Sequence, residues 1–208
     1  MIIKICGITQ EKDALYASEL GATALGFIFV STSPRYIEPA IAADIYQAVK
    51  VRFGEQSPQF VGVFVNATRS YINDVLQEVP LDCIQFHGDE LPNEIQGYSQ
   101  RIWKAFRVSN AFQPLILKDY DAEACVLDTY ESQMYGGTGR TFNWRKAVEA
   151  KQYCNVILSG GLCSQNIHSA IEVVQPYGID VNSGVELSPG KKDHKKLELL
   201  FQELQRRK

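Results

Sequence analysis

The sequence predicts an α/β protein folded as a single-domain eight-stranded parallel (β/α)8 barrel, and three observations lead there. Short β-prone apolar runs alternate with segments of helical spacing along the whole chain. Two late runs, residues 156–158 and 179–181, break off abruptly into Ser159-Gly160-Gly161 and Asn182-Ser183-Gly184. The 208 residues, 45% hydrophobic and 22% charged, suffice for one sizeable core at the lower end of the barrel size range. One domain over residues 1–208 is therefore expected. An open doubly wound sheet uses the same alternation, but it more often carries its glycine fingerprint on the first βα turn. Barrels frequently bind phosphate after strands seven and eight.

In chain order, residues 2–5 read as strand one, ending at Cys6 and Gly7, and Thr9 is placed to cap a helix that runs to Leu20 and closes at Gly21. Strand two, residues 25–30, leads through a polar loop at 31–38 to a helix starting near Pro39, with Ile41, Ile45, Ala48 and Val49 on one face. Strand three spans 60–65. Thr68 then caps a helix presenting Ile72, Val75, Leu76 and Val79, which Pro80 ends. Residues 83–86 read as strand four, ending at His87-Gly88, with a short helix near 92–98. Strands five and six fall at 102–106 and 124–127; the helix between them must accommodate Pro114, and the next is delayed to about Asn143. The long intervening loop carries Gly136-Gly137-Thr138-Gly139, and long loops at strand ends favour function. Ser164 is a candidate cap for a helix burying Ile167, Ala170, Ile171 and Val174. A final amphipathic helix buries Leu197, Leu200, Phe201 and Leu204.

A net charge of −3 and a pI near 5.7 give no global reason to expect nucleic acid, and the basic residues of 191–208 read as a solvated helix face. The five cysteines are an odd number without a C-x-x-C pair or zinc spacing, which fits reduced thiols and a cytoplasmic location. No signal peptide and no run of ~20 apolar residues is present, so no membrane association is expected. Nothing points to an obligate protein partner.

Functional residues of a barrel lie just after its strands. The polar ones here are Cys6, Arg35, Asn66, His87, Asp128, Ser159 and Ser183, with Asp180 inside the last strand. They offer no metal cluster and no Ser-His-Asp set, leaving a thiol, a carboxylate, a guanidinium and a phosphate cradle. A thiol and a carboxylate facing each other across the mouth suit proton transfers on a sugar phosphate, provided the thiol, ordinarily near ~8.5, is activated. Each residue also has a plainer use. Cys6 as a small buried hydrophobe, Asp128 as a turn cap with Thr129, Arg35 as a loop ion pair and His87 as a structural group all remain open.

The motifs K-I-C-G-I-T at 4–9, S-P-R-Y-I at 33–37, V-F-V-N at 63–66, Q-F-H-G at 85–88, G-G-T-G at 136–139, L-S-G-G-L at 158–162 and D-V-N-S-G-V-E at 180–186, with P-G-K-K-D following, occur in order over the whole chain. Together they resemble phosphoribosylanthranilate isomerase, a tryptophan-biosynthesis family. Phe86 and Asn182 depart from residues common there, but keep the neighbouring glycines. The resemblance implies an Amadori rearrangement of a small phosphoribosyl substrate without cofactor or metal. It implies Cys6 as general base, Asp128 as general acid, and Arg35 as the holder of the anthranilate carboxylate. Gly160, Gly161, Ser183 and Gly184 would bind the phosphate, and Asp180 the sugar hydroxyls. Two rivals differ in their signatures: a histidine-pathway isomerase has a duplicated half-barrel and a carboxylate base, and a non-catalytic phosphosugar binder has no need of both Cys6 and Asp128.

Overall fold

A computed structural model describes residues 1–129 and 143–206. Eight parallel strands close into a barrel in chain order: β1 (Ile2–Cys6), β2 (Ala24–Ile28), β3 (Gln59–Phe64), β4 (Cys83–Phe86), β5 (Arg101–Val108), β6 (Ala124–Thr129), β7 (Val156–Leu158) and β8 (Gly178–Val181). The seam is the β1–β8 ladder, in which Lys4 stands opposite Asp180. The period of two along each strand sorts side chains between two cores. Ala24, Val61, Cys83, Trp103, Ala105, Ala124, Val126 and Ile157 pack inside the barrel, where the fully buried Trp103 is the largest filler. The alternate residues, among them Ile5, Leu25, Phe27, Phe60, Phe64, Ile84 and Leu127, form the larger core beneath the helices.

The helices are α1 (Glu11–Leu20), α2 (Pro39–Phe53), α3 (Arg69–Glu78), α4 (Arg145–Ala150), α5 (Ile167–Val174) and α6 (His194–Gln205). Pro39 begins α2, where its missing N–H costs nothing, and the Thr68 hydroxyl accepts from Tyr71 N at the head of α3. Four expectations are corrected. The cap of α1 is Gln10, because Thr9 instead donates its hydroxyl to the Gly190 carbonyl. The first turn of α2 buries Ala42 rather than Ile41, which is exposed. Asn166, not Ser164, precedes α5, and its side chain accepts from Cys163 N at 2.9 Å. No helix forms at 92–98: Gly97 turns left-handed, and Arg69 holds the segment by donating to Gln96 O at 2.6 Å.

The connection after β5 is a 3-10 helix, Pro114–Asp119, opened by its proline. After β8 come a 3-10 turn, Ser183–Val185, and an unexpected hairpin of β9 (Glu186–Ser188) and β10 (Lys191–Lys192) before α6. Leu197, Leu200 and Phe201 of α6 are buried, with Leu204 half-buried. No helix among the described residues is long and apolar enough to cross a membrane. The glycine-rich stretch at 136–139 lies outside the described residues.

Candidate active site

A cavity of about 390 Å³ opens at the C-terminal ends of the strands, and its wall changes character around the ring. From β6 comes Asp128; from β7 and its loop, Ser159, Gly160 and Gly161; from β8, Asp180, Asn182 and Ser183; and from β1, Cys6. Arg35 follows from the β2 loop, and Ile28, Val30, Val63 and Val65 line an apolar side. Gln85 and His87 complete the circuit from β4. Carboxylate and thiol thus flank the two glycine-bearing turns, and the guanidinium and apolar wall stand beyond the thiol.

Cys6 is 5% exposed and in a dense charged surround. Lys4, two residues earlier on the same inward face, is fully buried and donates to Asp180 Oδ2 at 2.8 Å. Burial raises the Cys6 thiol above its ordinary value; the Lys4 ammonium pulls it back, Asp180 adds to the rise, and Lys192 opposes it. The free site therefore holds the thiol more protonated than an isolated cysteine, so any activation must come with the ligand. For Lys4, burial lowers the affinity for its proton, but Asp180 and Cys6 outweigh this and leave the ammonium firmly charged. The space for this cluster is kept by Gly26. A Cβ there would lie 2.8 Å from Cys6 Sγ and 3.0 Å from Lys4 Cε.

Arg35 is 7% exposed, and Nε and Nη2 form a fork on Glu186, with Nη2 to Oε2 at 2.7 Å. Lys192 adds a second cation, donating to Glu186 Oε1 and to Asn182 Oδ1, each at 3.0 Å. Burial raises Glu186, but the hydrogen bond from Arg35 and the charge of Lys192 more than reverse this and hold its carboxyl below the usual range. One carboxylate therefore answers two cations at the rim, which favours a further anion. The Nη1 edge of Arg35 has no hydrogen bond among the described residues, and it is the edge left for such an anion.

Asp128 is 3% exposed, and its Oδ1 accepts from Thr129 N at 2.8 Å, so the turn-cap geometry is real and coexists with exposure of the carboxyl to the cavity. His87 Nε2 lies 3.3 Å from Asp128 Oδ2, but out of line for a hydrogen bond. Three buried polar atoms of residues on this cavity wall have no hydrogen-bond partner among the described residues: Gln85 Oε1, His87 Nε2 and Asp180 Oδ1. Buried polar groups are nearly always satisfied, so each of these atoms is open to a polar group of a ligand.

The sequence profile of the family described as N-(5'phosphoribosyl)anthranilate (PRA) isomerase matches residues 3–203. The chain belongs to that isomerase family. A curated N-(5'-phosphoribosyl)anthranilate isomerase from Citrifermentans bemidjiense is 45% identical over 201 residues, covering 97% of this chain and 95% of the relative. The crystal structure of the phosphoribosyl anthranilate isomerase from Thermus thermophilus superposes with a TM-score of 0.90 at 34% identity, covering 100% of both chains. A phosphoribosyl anthranilate isomerase solved in complex with reduced 1-(o-carboxyphenylamino)-1-deoxyribulose 5-phosphate gives 0.83 at 35% identity, covering 99% of each chain.

In this member of the isomerase family the cavity gathers Cys6, Arg35, Asp128, Gly160, Gly161, Asp180 and Ser183. Gly184 is not on its wall: a Cβ there would run into the Leu162 carbonyl, so this glycine lets the β7 and β8 loops close on each other. Asn66 does not reach the cavity either. Its left-handed backbone and its Oδ1, accepting from Asp89 N at 2.7 Å, tie the β3 and β4 loops together. Lys4, Glu186 and Lys192 escaped sequence reasoning. Lys192, read as part of a solvated face, is 2% exposed because the hairpin folds it inward. Lys4 carried a signal: a charge inside an apolar strand, in phase with Cys6.

Proposed function

We propose that this protein catalyses the Amadori rearrangement of N-(5-phosphoribosyl)anthranilate to 1-(2-carboxyphenylamino)-1-deoxyribulose 5-phosphate in tryptophan biosynthesis, with Asp128 as general acid and Cys6 as general base. The observation that carries this reading is the order around the mouth: acid, phosphate-type turns, base, guanidinium, apolar wall. A phosphoribosyl group seated on the β7 and β8 turns lies between Asp128 and Cys6, and its aromatic amine extends toward Arg35 and the valines. Gly160 and Gly161 turn left-handed there, a conformation that points backbone N–H groups at an anion.

Asp128 gives its proton to the furanose ring oxygen, and the ring opens to a Schiff base. Cys6, as thiolate, takes the C2 proton to leave the enolamine, which tautomerises to the ketone. Lys4 is the buried cation that answers the thiolate. Asp180 Oδ1, unpartnered on the wall, accepts from a sugar hydroxyl, and Arg35 meets the carboxylate with the edge Glu186 does not occupy.

Loss of substrate fluorescence on adding the purified protein measures the reaction. Asp128→Asn and Cys6→Ser should each reduce kcat by about 10²–10⁴-fold while affinity for a phosphorylated product analogue persists. A Cys6→Ser protein with near-normal kcat would remove the thiolate from the mechanism, since a serine hydroxyl is too weak a base at neutral pH.

A further inference from the structure

Gln85 lies in the middle of the barrel interior, with no surface in contact with solvent, and the proposed reaction gives it no task. A buried primary amide with unmet partners is costly, and this one has a single side-chain hydrogen bond among the described residues. Its Nε2 lies 2.8 Å from His87 Nδ1, and its Oε1 has no hydrogen-bond partner among the described residues. The two side chains are two residues apart on one strand line, so both point inward, one above the other.

An amide nitrogen can only donate. With the amide nitrogen turned to the ring, His87 Nδ1 accepts, and this orientation assigns the proton of the neutral ring to Nε2, the atom 3.3 Å from Asp128 Oδ2. Once Asp128 has given up its proton, the opposite tautomer would set a nitrogen lone pair against carboxylate lone pairs and leave the new charge without a donor on this side. The other carboxyl oxygen is already held by Thr129 N at 2.8 Å. Backbone on one side and the imidazole 3.3 Å away on the other thus flank the Asp128 carboxyl.

We propose that Gln85 is a positioning residue: its amide holds His87 in the tautomer whose Nε2–H faces Asp128 Oδ2, and so fixes the acid for proton delivery. This rests on the reading of Asp128 as the general acid. The ring N–H is out of line with Oδ2 in the free protein, and it gains a full acceptor only when Asp128 has surrendered its proton. An interaction that strengthens as charge appears lowers the barrier rather than merely tightening binding. Misplacing a catalytic group by about 1 Å costs up to about 10²-fold in rate, which sets the scale for loss of the lock.

The ring nitrogens of a ¹⁵N-labelled sample give a readout that activity does not. In the wild type at a pH where the ring is neutral, His87 is expected to show an unprotonated Nδ1 and a protonated Nε2, assigned against His168 and His194 by the His87→Gln variant. Gln85→Leu, of similar shape, should mix the tautomers and lower kcat by about 10- to 10²-fold with KM changed less than about twofold. Gln85→Glu, an acceptor in the same place, should draw the proton to Nδ1. His87→Gln keeps an amide N–H near the Nε2 position and should retain more activity than His87→Leu. A wild-type ring protonated on Nδ1, or a folded Gln85→Leu protein with unchanged ring signals and kcat, overturns the proposal. A protein without isomerase turnover but with the expected tautomer would refute the reaction and leave the Gln85–His87 lock standing.

Discussion

Replacing Gly160 with alanine tests the contact between the β7 turn, proposed to hold the phosphate, and Asp128, proposed as the acid. Gly160 has φ +86°, where an L side chain costs roughly 1–2 kcal/mol. The added Cβ would lie 2.6 Å from Thr129 N and 2.8 Å from Asp128 Oδ1, with the Thr129 hydroxyl closer still. Those atoms cannot step aside freely, because Thr129 N and Asp128 Oδ1 are hydrogen-bonded to each other. Overpacking of this kind adds about 1–3 kcal/mol, so a total loss of about 2–5 kcal/mol is expected in urea unfolding. A domain stable by about 5–15 kcal/mol survives that, so the variant can be assayed. Its kcat should fall by about 10²-fold through displacement of Asp128, on top of weaker binding of a phosphorylated product analogue. Gly184→Ala is the control: its Cβ presses on Leu162 and Cys163, away from Asp128, so affinity should fall more than kcat. A Gly160→Ala protein that loses affinity but keeps kcat would refute the argument that turn and acid are packed as one unit.

Iodoacetamide labelling of Cys6, followed by peptide mass spectrometry, should accelerate with pH through a midpoint above that of an unburied cysteine peptide labelled alongside, because burial favours the neutral thiol and the thiolate is the reacting form; a midpoint below that of the peptide would contradict this. Arg35→Lys keeps the charge and loses the fork, and should raise KM by about 10- to 10²-fold for a substrate bearing the carboxylate. An analogue without that group should be nearly indifferent; equal losses on both would reassign Arg35 to holding Glu186. Lys4→Met strands Asp180 as an unpaired buried charge and should cost about 3–5 kcal/mol in urea unfolding, much of it recovered in Lys4→Met/Asp180→Leu. A single variant as stable as the wild type would mean that water, not Lys4, satisfies Asp180. Acid should weaken the rim: Glu186 is held below its ordinary 4.5, so its contribution is complete above that pH and is lost as pH falls through the lower folded value. Glu186→Gln should flatten the stability profile in that acid range.

The barrel was legible because most strands are short apolar runs and the β7 and β8 turns repeat the same glycine pattern, so the order of elements needed no long-range information. Cys6, Arg35 and Asp128 were legible as polar residues at strand ends. What failed were local rules overridden by distant partners. Thr9 has the right chemistry for a cap but is claimed by Gly190, far away in the chain. Ile41 fits a helical face by spacing, yet α2 meets the barrel through Ala42, Ile45 and Val49. Lys192 lies in a run of charges, and only the β9–β10 hairpin, which has no strong pattern of its own, explains its burial. The paired uses of Asp128 and Arg35 show why a plain structural role and exposure to a cavity are not exclusive.

The Lys4–Asp180 pair joins residues 176 positions apart, across the seam where the first strand meets the last. Closing a loop of that span costs more entropy than pairing neighbouring strands, and until it closes Lys4 has no buried counter-charge to meet. Cys6 sits on that same seam. The wall that carries the thiol is therefore complete only when the eighth strand is paired with the first. On refolding from urea, secondary structure should return before the charged surround of Cys6 does. Recovered turnover then reports ring closure, and a partly closed barrel, however helical, is catalytically silent.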